Sequence, residues 1–519
     1  MNLHMKMAAT VSTLAGALLL LPAFASAAPT PLVIPAFTGV SALPGPLATP
    51  ATPAASMGLL TTSPDVAVAG TKFTVTGSGL PANKPVTLTW GTSNVTWVVE
   101  ARPDSVDYLG RKADKLTVVL AQTTTDAAGK FMVALKAPKD FGGIHDLYAV
   151  IDGVQVAKGG FLIARSATVS PKQGPIGTML TVTYTGLGAS LYEGGASLLY
   201  DNKYVGAMMA NWTRGVAVAH IRASGPVGKH TIEAADAISF KYLNIQQSPI
   251  PWGTGFKMSF TVTKDNGRPK ARIDWPAQVA PTLDAKTTLQ LASVSAGSAV
   301  SAQLESTSGT VNSRVGITAR GLTPNAPVSL EWSTVVGNRV NCTGTCWTFV
   351  SVPLGTATAT ADGSLSSKIT VPDGLGGWHV VQVIQNGQTK TQVPYFVKRS
   401  VVGNGVSSLV LKEGQRFTVH LKGLGWTQLD NTIAVDYDNS YVGYGCGFNS
   451  QGDTVMNLIA TGGPGTHLID MYPLLYTQQP SYGNTPYGMI PVLTYEKDVP
   501  GLALGYALPA IRLAITIVK

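Results

Sequence analysis

The 519-residue chain contains only three cysteines, Cys342, Cys346 and Cys446. That is too few for a scaffold built on disulfides, so its stability must come from apolar cores. Charged residues are also scarce at 13%, and stretches of helical periodicity are hard to find, whereas Gly, Thr, Ser, Val and Ala abound. This composition suits an exported β-sandwich protein better than a helical enzyme. No run of eighteen apolar residues offers a membrane-spanning helix for the mature chain. There is no G-x-S-x-G elbow, H-E-x-x-H helix, Walker loop or dinucleotide fingerprint. The sparse carboxylates give no pair that marks a glycosidase. The sequence therefore indicates no enzyme and no cofactor. Lys and Arg nowhere cluster with interleaved aromatics, so the net charge of +9 reads as diffuse solubilising charge and nucleic acid is not an expected partner.

What the sequence does have begins with a short, weakly basic start containing Lys6. An apolar run from Leu14 to Phe24 follows, then the small residues Ala25, Ser26 and Ala27. This reads as a secretory signal peptide over residues 1–27, and it predicts a secreted, extracellular or cell-surface protein, with the periplasm as the alternative. Residues 28–60 and 265–304 are rich in Pro, Ala and Thr and read as linkers.

The strongest signal is internal. The segment Tyr-Asp-Asn-Lys-Tyr-Val-Gly from Tyr200 returns as Tyr-Asp-Asn-Ser-Tyr-Val-Gly from Tyr437. The 237-residue offset holds without a gap from Thr181/Thr418 to His230/His467, with 17 identities in 50 positions. Upstream, Gly77–Trp90 matches Ala319–Trp332 at an offset of 242, and Gly142-Gly143-Ile144-His145 matches Gly376-Gly377-Trp378-His379 at 234. A unit of about 200 residues has been duplicated, with length changes between strands where loops absorb them. That length is large for one sandwich and right for two.

Val86, Leu88 and Trp90 alternate with Thr87 and Thr89, and Val328, Leu330 and Trp332 repeat the pattern, so each segment is a strand with one buried face. Asp126-Ala127-Ala128-Gly129 and Asp362-Gly363 punctuate such runs as hairpin turns do. The order of a Gly-Leu strand end followed closely by Pro, a Trp-bearing strand, a hairpin turning on Asp and Gly, and a Gly-x-His strand start resembles the immunoglobulin-like repeats of bacterial exported and cell-surface proteins, including IPT/TIG-type domains. The resemblance spans residues 61–519 but lacks the antibody-type cysteine pair. It implies an all-β chain of four immunoglobulin-like β-sandwich domains, at 61–165, 166–264, 305–398 and 399–519, as a tandem duplication of a two-domain unit. It also implies adhesion, carbohydrate or polymer binding, or simple spacing, among which fold does not choose.

Candidate sites are few. His145, His230, His379 and His467 each follow a Gly by two residues and precede an apolar residue by two, which reads as a structural histidine at the sandwich edge. No metal is assigned to them. Asp436, Asp438 and Asn439 are weak calcium candidates, although Asp-Asn is also a natural hairpin turn pair. Cys342 and Cys346, which enclose Thr-Gly-Thr, are placed to close a small disulfide loop in an oxidising compartment. Nine of the seventeen tyrosines fall in 399–519, where an extra segment runs from about Asn484 to Leu508. Trp426, Tyr441, Tyr444, Tyr472 and Tyr476 are therefore the candidate ligand-binding residues, since Tyr and Trp offer rigid faces and polar edges to a sugar or protein. The expected partner is an extracellular polysaccharide or a surface protein. Self-association through open sheet edges is the structural alternative, and action on extracellular polysaccharide a further one.

Overall fold

The structure is a computed structural model that describes the chain apart from residues 1–40, 103–104, 191–192, 237–239, 242, 248–254, 277–291, 338–346, 428, 478–487 and 505–507. The described residues form mainly antiparallel sheets with a few parallel pairings, with only short 3-10 turns and no α-helix. The alternation noted around Trp90 is realised in strand Pro85–Arg102, whose Val86, Leu88 and Trp90 are buried.

One pairing scheme recurs at four places. In the second, Met179–Thr185 lies between Ser166–Ser170 and Val216–Arg222. Facing it is a sheet in the order Gln173–Gly174, Phe256–Val262, Gly228–Asp236, Gly195–Tyr200 and Lys203–Met209. In the fourth, Arg416–Lys422 lies between Ser400–Val406 and Thr454–Ile459, opposite Val410–Lys412, Ala510–Val518, Gly465–Tyr472, Thr432–Tyr437 and Ser440–Cys446. The regions around Lys72–Gly77 and Arg314–Arg320 follow the same order. Three strands facing four or five, with inward residues of both sheets interdigitated, is a β-sandwich arrangement. Each of the four has an apolar core, which includes Trp90, Tyr184, Trp332 and Phe417 respectively, and that of the second also takes in Tyr472, Leu493, Tyr495 and Ala510 of the fourth.

Two stretches expected to be linkers carry structure. Strand Thr52–Ser63 begins within 28–60; its start runs parallel to Val154–Ile163, and its end pairs with Lys72–Gly77 in the opposite sheet. Within 265–304, Arg272–Asp274 adds an edge strand to Ala510–Val518, and Ser301–Leu304 pairs with Arg314–Arg320. Asp265 accepts hydrogen bonds from the amide and hydroxyl of Thr466, both at 2.8 Å. Local Pro and Ala content hid these strands because their partners lie up to 240 residues away in sequence.

Adjacent sandwiches meet at matched glycines. The Gly142 amide donates to the Leu187 carbonyl at 2.8 Å, and the Gly376 amide to the Leu424 carbonyl at 2.8 Å. A Cβ on Gly142 would lie 1.7 Å from the Gly186 carbonyl oxygen, and one on Gly376 would lie 1.9 Å from that of Gly423. Only glycine lets two backbones approach this closely.

A further apolar cluster draws on all four regions. It holds Trp97 from the first, Ala207, Met209 and Trp212 from the second, Trp378 and Phe396 from the third, and Leu475, Val492, Val499 and Leu502 from the fourth. The last three belong to the extra segment of the fourth region. That segment is mortar between sandwiches: Val492 bridges Ala207, and the Leu493 amide donates to the Ala207 carbonyl at 2.9 Å.

Candidate functional site

The Tyr-Asp-Asn hairpins are tight turns. Asp201, Asn202, Asp438 and Asn439 all have φ between 47° and 64°, the left-handed region that such turns require. Each Asp then serves the neighbouring strand. Asp438 lies 2.6 Å from Nδ1 of His467 through one oxygen and accepts the Leu468 amide at 2.9 Å through the other. Asp201 repeats this with His230 at 2.6 Å and the Thr231 amide at 2.8 Å. The second ring nitrogen faces a backbone carbonyl, of Gly463 or Pro226, at 2.8 Å. At His467, a carboxylate on one nitrogen and a carbonyl on the other suit an imidazolium, which donates from both. Burial opposes the charge on His467, but the hydrogen bond and charge of Asp438 prevail and hold its pKa above the ordinary value.

Regions one and three use the same histidine position differently. His145 faces the carbonyls of Gly91 and Phe141 at 2.8 and 2.7 Å, and His379 those of Ser333 and Leu375 at 2.8 and 2.9 Å. Each ring stacks on the strand tryptophan, Trp90 or Trp332, at 4.3 and 4.8 Å between centroids. The four histidines are thus buried ties between sheet and loop, as the Gly-x-His pattern suggested. Among the described residues, no group of three or more His, Cys, Asp or Glu side chains is placed to hold a metal ion.

The aromatic candidates separate. Trp426 is 1% exposed and packs with Val335, Leu375 and Phe448. Tyr472 is 0% exposed, and its hydroxyl accepts from Arg512 at 2.8 Å. Neither has a face free for a ligand; in both cases the aromatic ring fills a contact between regions. Tyr441 is half-buried and Tyr444 is 46% exposed, both on strand Ser440–Cys446. Tyr476 lies on strand Leu474–Thr477, whose pairing with Gly488–Pro491 is described while its own side chain is not. Cys342 and Cys346 lie outside the described residues, and Cys446 is exposed.

Sequence reasoning missed an aromatic row that crosses from the second region to the fourth. Phe240, 69% exposed, packs on Tyr204 at 4.9 Å, and Tyr204 meets Tyr441 edge-on at 6.4 Å. Burial, together with the charges of Asp436 and Tyr444, pushes the Tyr441 hydroxyl up to about 12, so it stays a neutral hydrogen-bond donor. No local pattern announces this row, because Phe240 and Tyr441 lie two hundred residues apart.

Asp436, taken as a weak calcium candidate, is buried without exposure, and neither carboxyl oxygen has a hydrogen-bond partner. Burial and the adjacent Asp470 charge raise its pKa well above the ordinary range, against the pull of Arg512. A site for calcium needs six to eight oxygen ligands, whereas Asp438 is already bound to His467 and Asn439 donates to the Arg222 carbonyl at 2.7 Å. The three therefore do not converge on a cation.

No family model matches the chain. No curated protein matches it either. Solved structures overlap it at length but with poor superposition. A Salmonella alpha-2-macroglobulin variant aligns at 9% identity over 87% of this chain and 30% of its own, with a TM-score of 0.16. The Escherichia coli adhesin FdeC aligns at 13% identity over 68% of this chain and 99% of its own, with a TM-score of 0.15. The Yersinia pseudotuberculosis adhesin InvE aligns at 12% identity over 49% and 66%, with a TM-score of 0.15. Superpositions this poor carry no argument about fold or task, and the architecture stands on the strand pairing given above.

Proposed function

We propose that the chain is an exported, non-enzymatic binding protein of four immunoglobulin-like sandwiches, a tandem duplication of a two-sandwich unit. In this reading it contacts an extracellular polysaccharide through aromatic side chains at the seam of the second and fourth sandwiches. The observation that carries the reading is the row Phe240, Tyr204 and Tyr441, together with exposed Tyr444. Exposed rings backed by packed ones are held rigid, which lowers the entropic cost of stacking a sugar. The duplication is supported by the matched glycine junctions and by the matched Asp–His ties at 201/230 and 438/467. The signal-peptide reading of residues 1–27, and a Cys342–Cys346 disulfide, belong to the same proposal.

The test is retention of the whole mature chain on insoluble polysaccharides across a salt series, beside Phe240→Ala and Tyr444→Ala. Retention that survives high salt and falls in both variants supports aromatic contact. Retention lost as salt rises assigns it to the net positive charge instead. No retention on any polymer moves the contact to a protein partner or to the second reading.

That second reading is self-assembly. Strand Ser440–Cys446 ends its sheet with no charged residue, while Val442 and Tyr444 are exposed. Natural edges are usually guarded by charge or proline. Sedimentation over a range of protein concentrations distinguishes it from a monomeric binder.

A further inference from the structure

The second and fourth sandwiches are locked together by a buried cluster of charges in which one carboxyl, that of Asp436, has no hydrogen-bond partner. Arg222 of the second donates from Nε to Asp470 of the fourth at 2.8 Å, and from Nη2 to the Leu513 carbonyl at 2.6 Å. Arg512, wholly buried, donates from Nε to Asp274 at 3.0 Å, from Nη1 to the Tyr472 hydroxyl at 2.8 Å and from Nη2 to the His220 carbonyl at 3.0 Å. Its Nη1 also lies 3.5 Å from Asp470. Asp436 stands directly across the ladder from Asp470. Asp274 also pairs with the exposed Arg272 at 3.0 Å, so Asp274 and Asp470 have arginine partners, whereas Asp436 has no hydrogen-bond donor on either oxygen.

The other groups around Asp436 do not partner it. Strand Lys203–Met209 brings Tyr204, the hairpin's own second strand brings Tyr441, and Gly465–Tyr472 brings Tyr472 beside Asp470. All three are phenols. His220 and Glu496 pair with each other at 3.6 Å on the rim, and Lys241 pairs with Glu233 at 2.6 Å. A buried carboxylate with no hydrogen-bond donor, beside a second carboxylate and with Arg512 committed to other partners, is far costlier than a neutral acid. The fold itself does not call for a carboxyl here, since the duplicate carries Leu199 at the equivalent position.

We propose that this junction binds one proton at Asp436 and acts as a pH-sensitive joint, held tight while Asp436 is neutral and loosened as its carboxylate forms. The upward direction of the Asp436 titration agrees with this geometry. Because the folded-state pKa lies above the unfolded one, the stabilisation is complete below about 3.9 and is lost as pH rises through the folded value.

The test compares the full chain with Asp436→Asn, an uncharged side chain of the same shape, in unfolding experiments from pH 5 to 9. Comparing the two at each pH cancels every other titrating group. The ratio of unfolding constants, wild type over variant, should rise about tenfold per pH unit until the folded pKa is passed. In the same interval, amide exchange in Val216–Arg222 and Gly465–Tyr472 should become faster in the wild type than in the variant. A ratio independent of pH overturns the proposal. So does a wild type whose stability at pH 9 is restored by sodium or potassium chloride but not by choline chloride, which would put a metal cation in place of the proton. Asp436→Leu, the residue of the duplicate, should follow Asp436→Asn. Failure of both variants to fold at pH 5 would show that a neutral side chain is not accepted there, and would also overturn it.

Discussion

Replacing Gly142 with alanine tests the junction between the first and second sandwiches with a single added methyl group. Its carbon would sit 1.7 Å from the Gly186 carbonyl oxygen, where atoms do not approach within 3.0 Å. The backbones must separate by more than about 1 Å, well under the several-ångström looseness of a surface loop but enough to break the Gly142 to Leu187 hydrogen bond. Overpacking of this kind costs about 1–3 kcal/mol, and the lost bond about 1 kcal/mol more. Gly142→Ala should therefore destabilise by about 2–4 kcal/mol. Gly376→Ala is an internal replicate, with its Cβ 1.9 Å from the Gly423 oxygen and the same hydrogen bond at stake. The two sites share no partner, so the double variant should lose the sum of both. Gly374→Ala is the control, since a Cβ there meets nothing within 4 Å. Urea unfolding followed by tryptophan fluorescence reads all four proteins. Two junction variants within about 0.5 kcal/mol of wild type would refute the close-approach reasoning.

Other consequences follow from the buried polar contacts. Trp97 donates from Nε1 to Asp498 at 2.9 Å and meets Trp212 edge-on, so Trp97→Ala should cost about 3–5 kcal/mol by thermal unfolding. Burial pushes Asp498 up to about 6, although hydrogen bonds from Trp97, Asn211 and Trp212 oppose the shift. Its folded pKa is thus raised, its stabilisation is lost as pH climbs through 6, and Asp498→Asn should flatten that part of the stability profile. His467 is raised in the same sense, so its tie to Asp438 stabilises below about 6.5 and fades as pH passes the folded value. The gap in melting temperature between wild type and Asp438→Asn should accordingly narrow from pH 6 to 9. Finally, alkylation of the native, unreduced protein should label Cys446 alone if Cys342 and Cys346 are joined.

Local periodicity made the strands around Trp90 and Trp332 legible, and the Asp-Asn pairs announced their turns, because these features depend on residues a few positions apart. The ties of the four histidines were legible in part, since a repeated Gly-x-His fixes which side of the strand the ring takes. The aromatic excess near the end of the chain misled. Trp426 and Tyr472 are large residues filling gaps between sandwiches, and composition does not distinguish a ring that faces a neighbouring sandwich from one that faces solvent. Arg222, Arg512 and Asp498 gave no signal either, because Arg222 and Asp470 are separated by 248 residues and Trp97 and Asp498 by 401. One clue was present in the alignment of the copies. Leu199 against Asp436 sets an acid against an apolar residue beside the identical Tyr200 and Tyr437, and such a mismatch points to a place where the two segments have different neighbours.

The cluster shared by Trp97, Trp212, Trp378 and Val492 bears on how this molecule can be cut. Sandwich proteins in tandem are commonly treated as beads, each expressed and tested alone. Here, removing residues 399–519 would strip the cover from Ala207, Met209 and Trp212 and leave Trp97 without the carboxyl that receives its indole proton. A truncated chain would present a fresh oily surface, and anything it stuck to would report the cut and not the native protein. The segment that recurs in the sequence and the smallest piece that can be handled are different objects, so the functional surface is best dissected by single side chains.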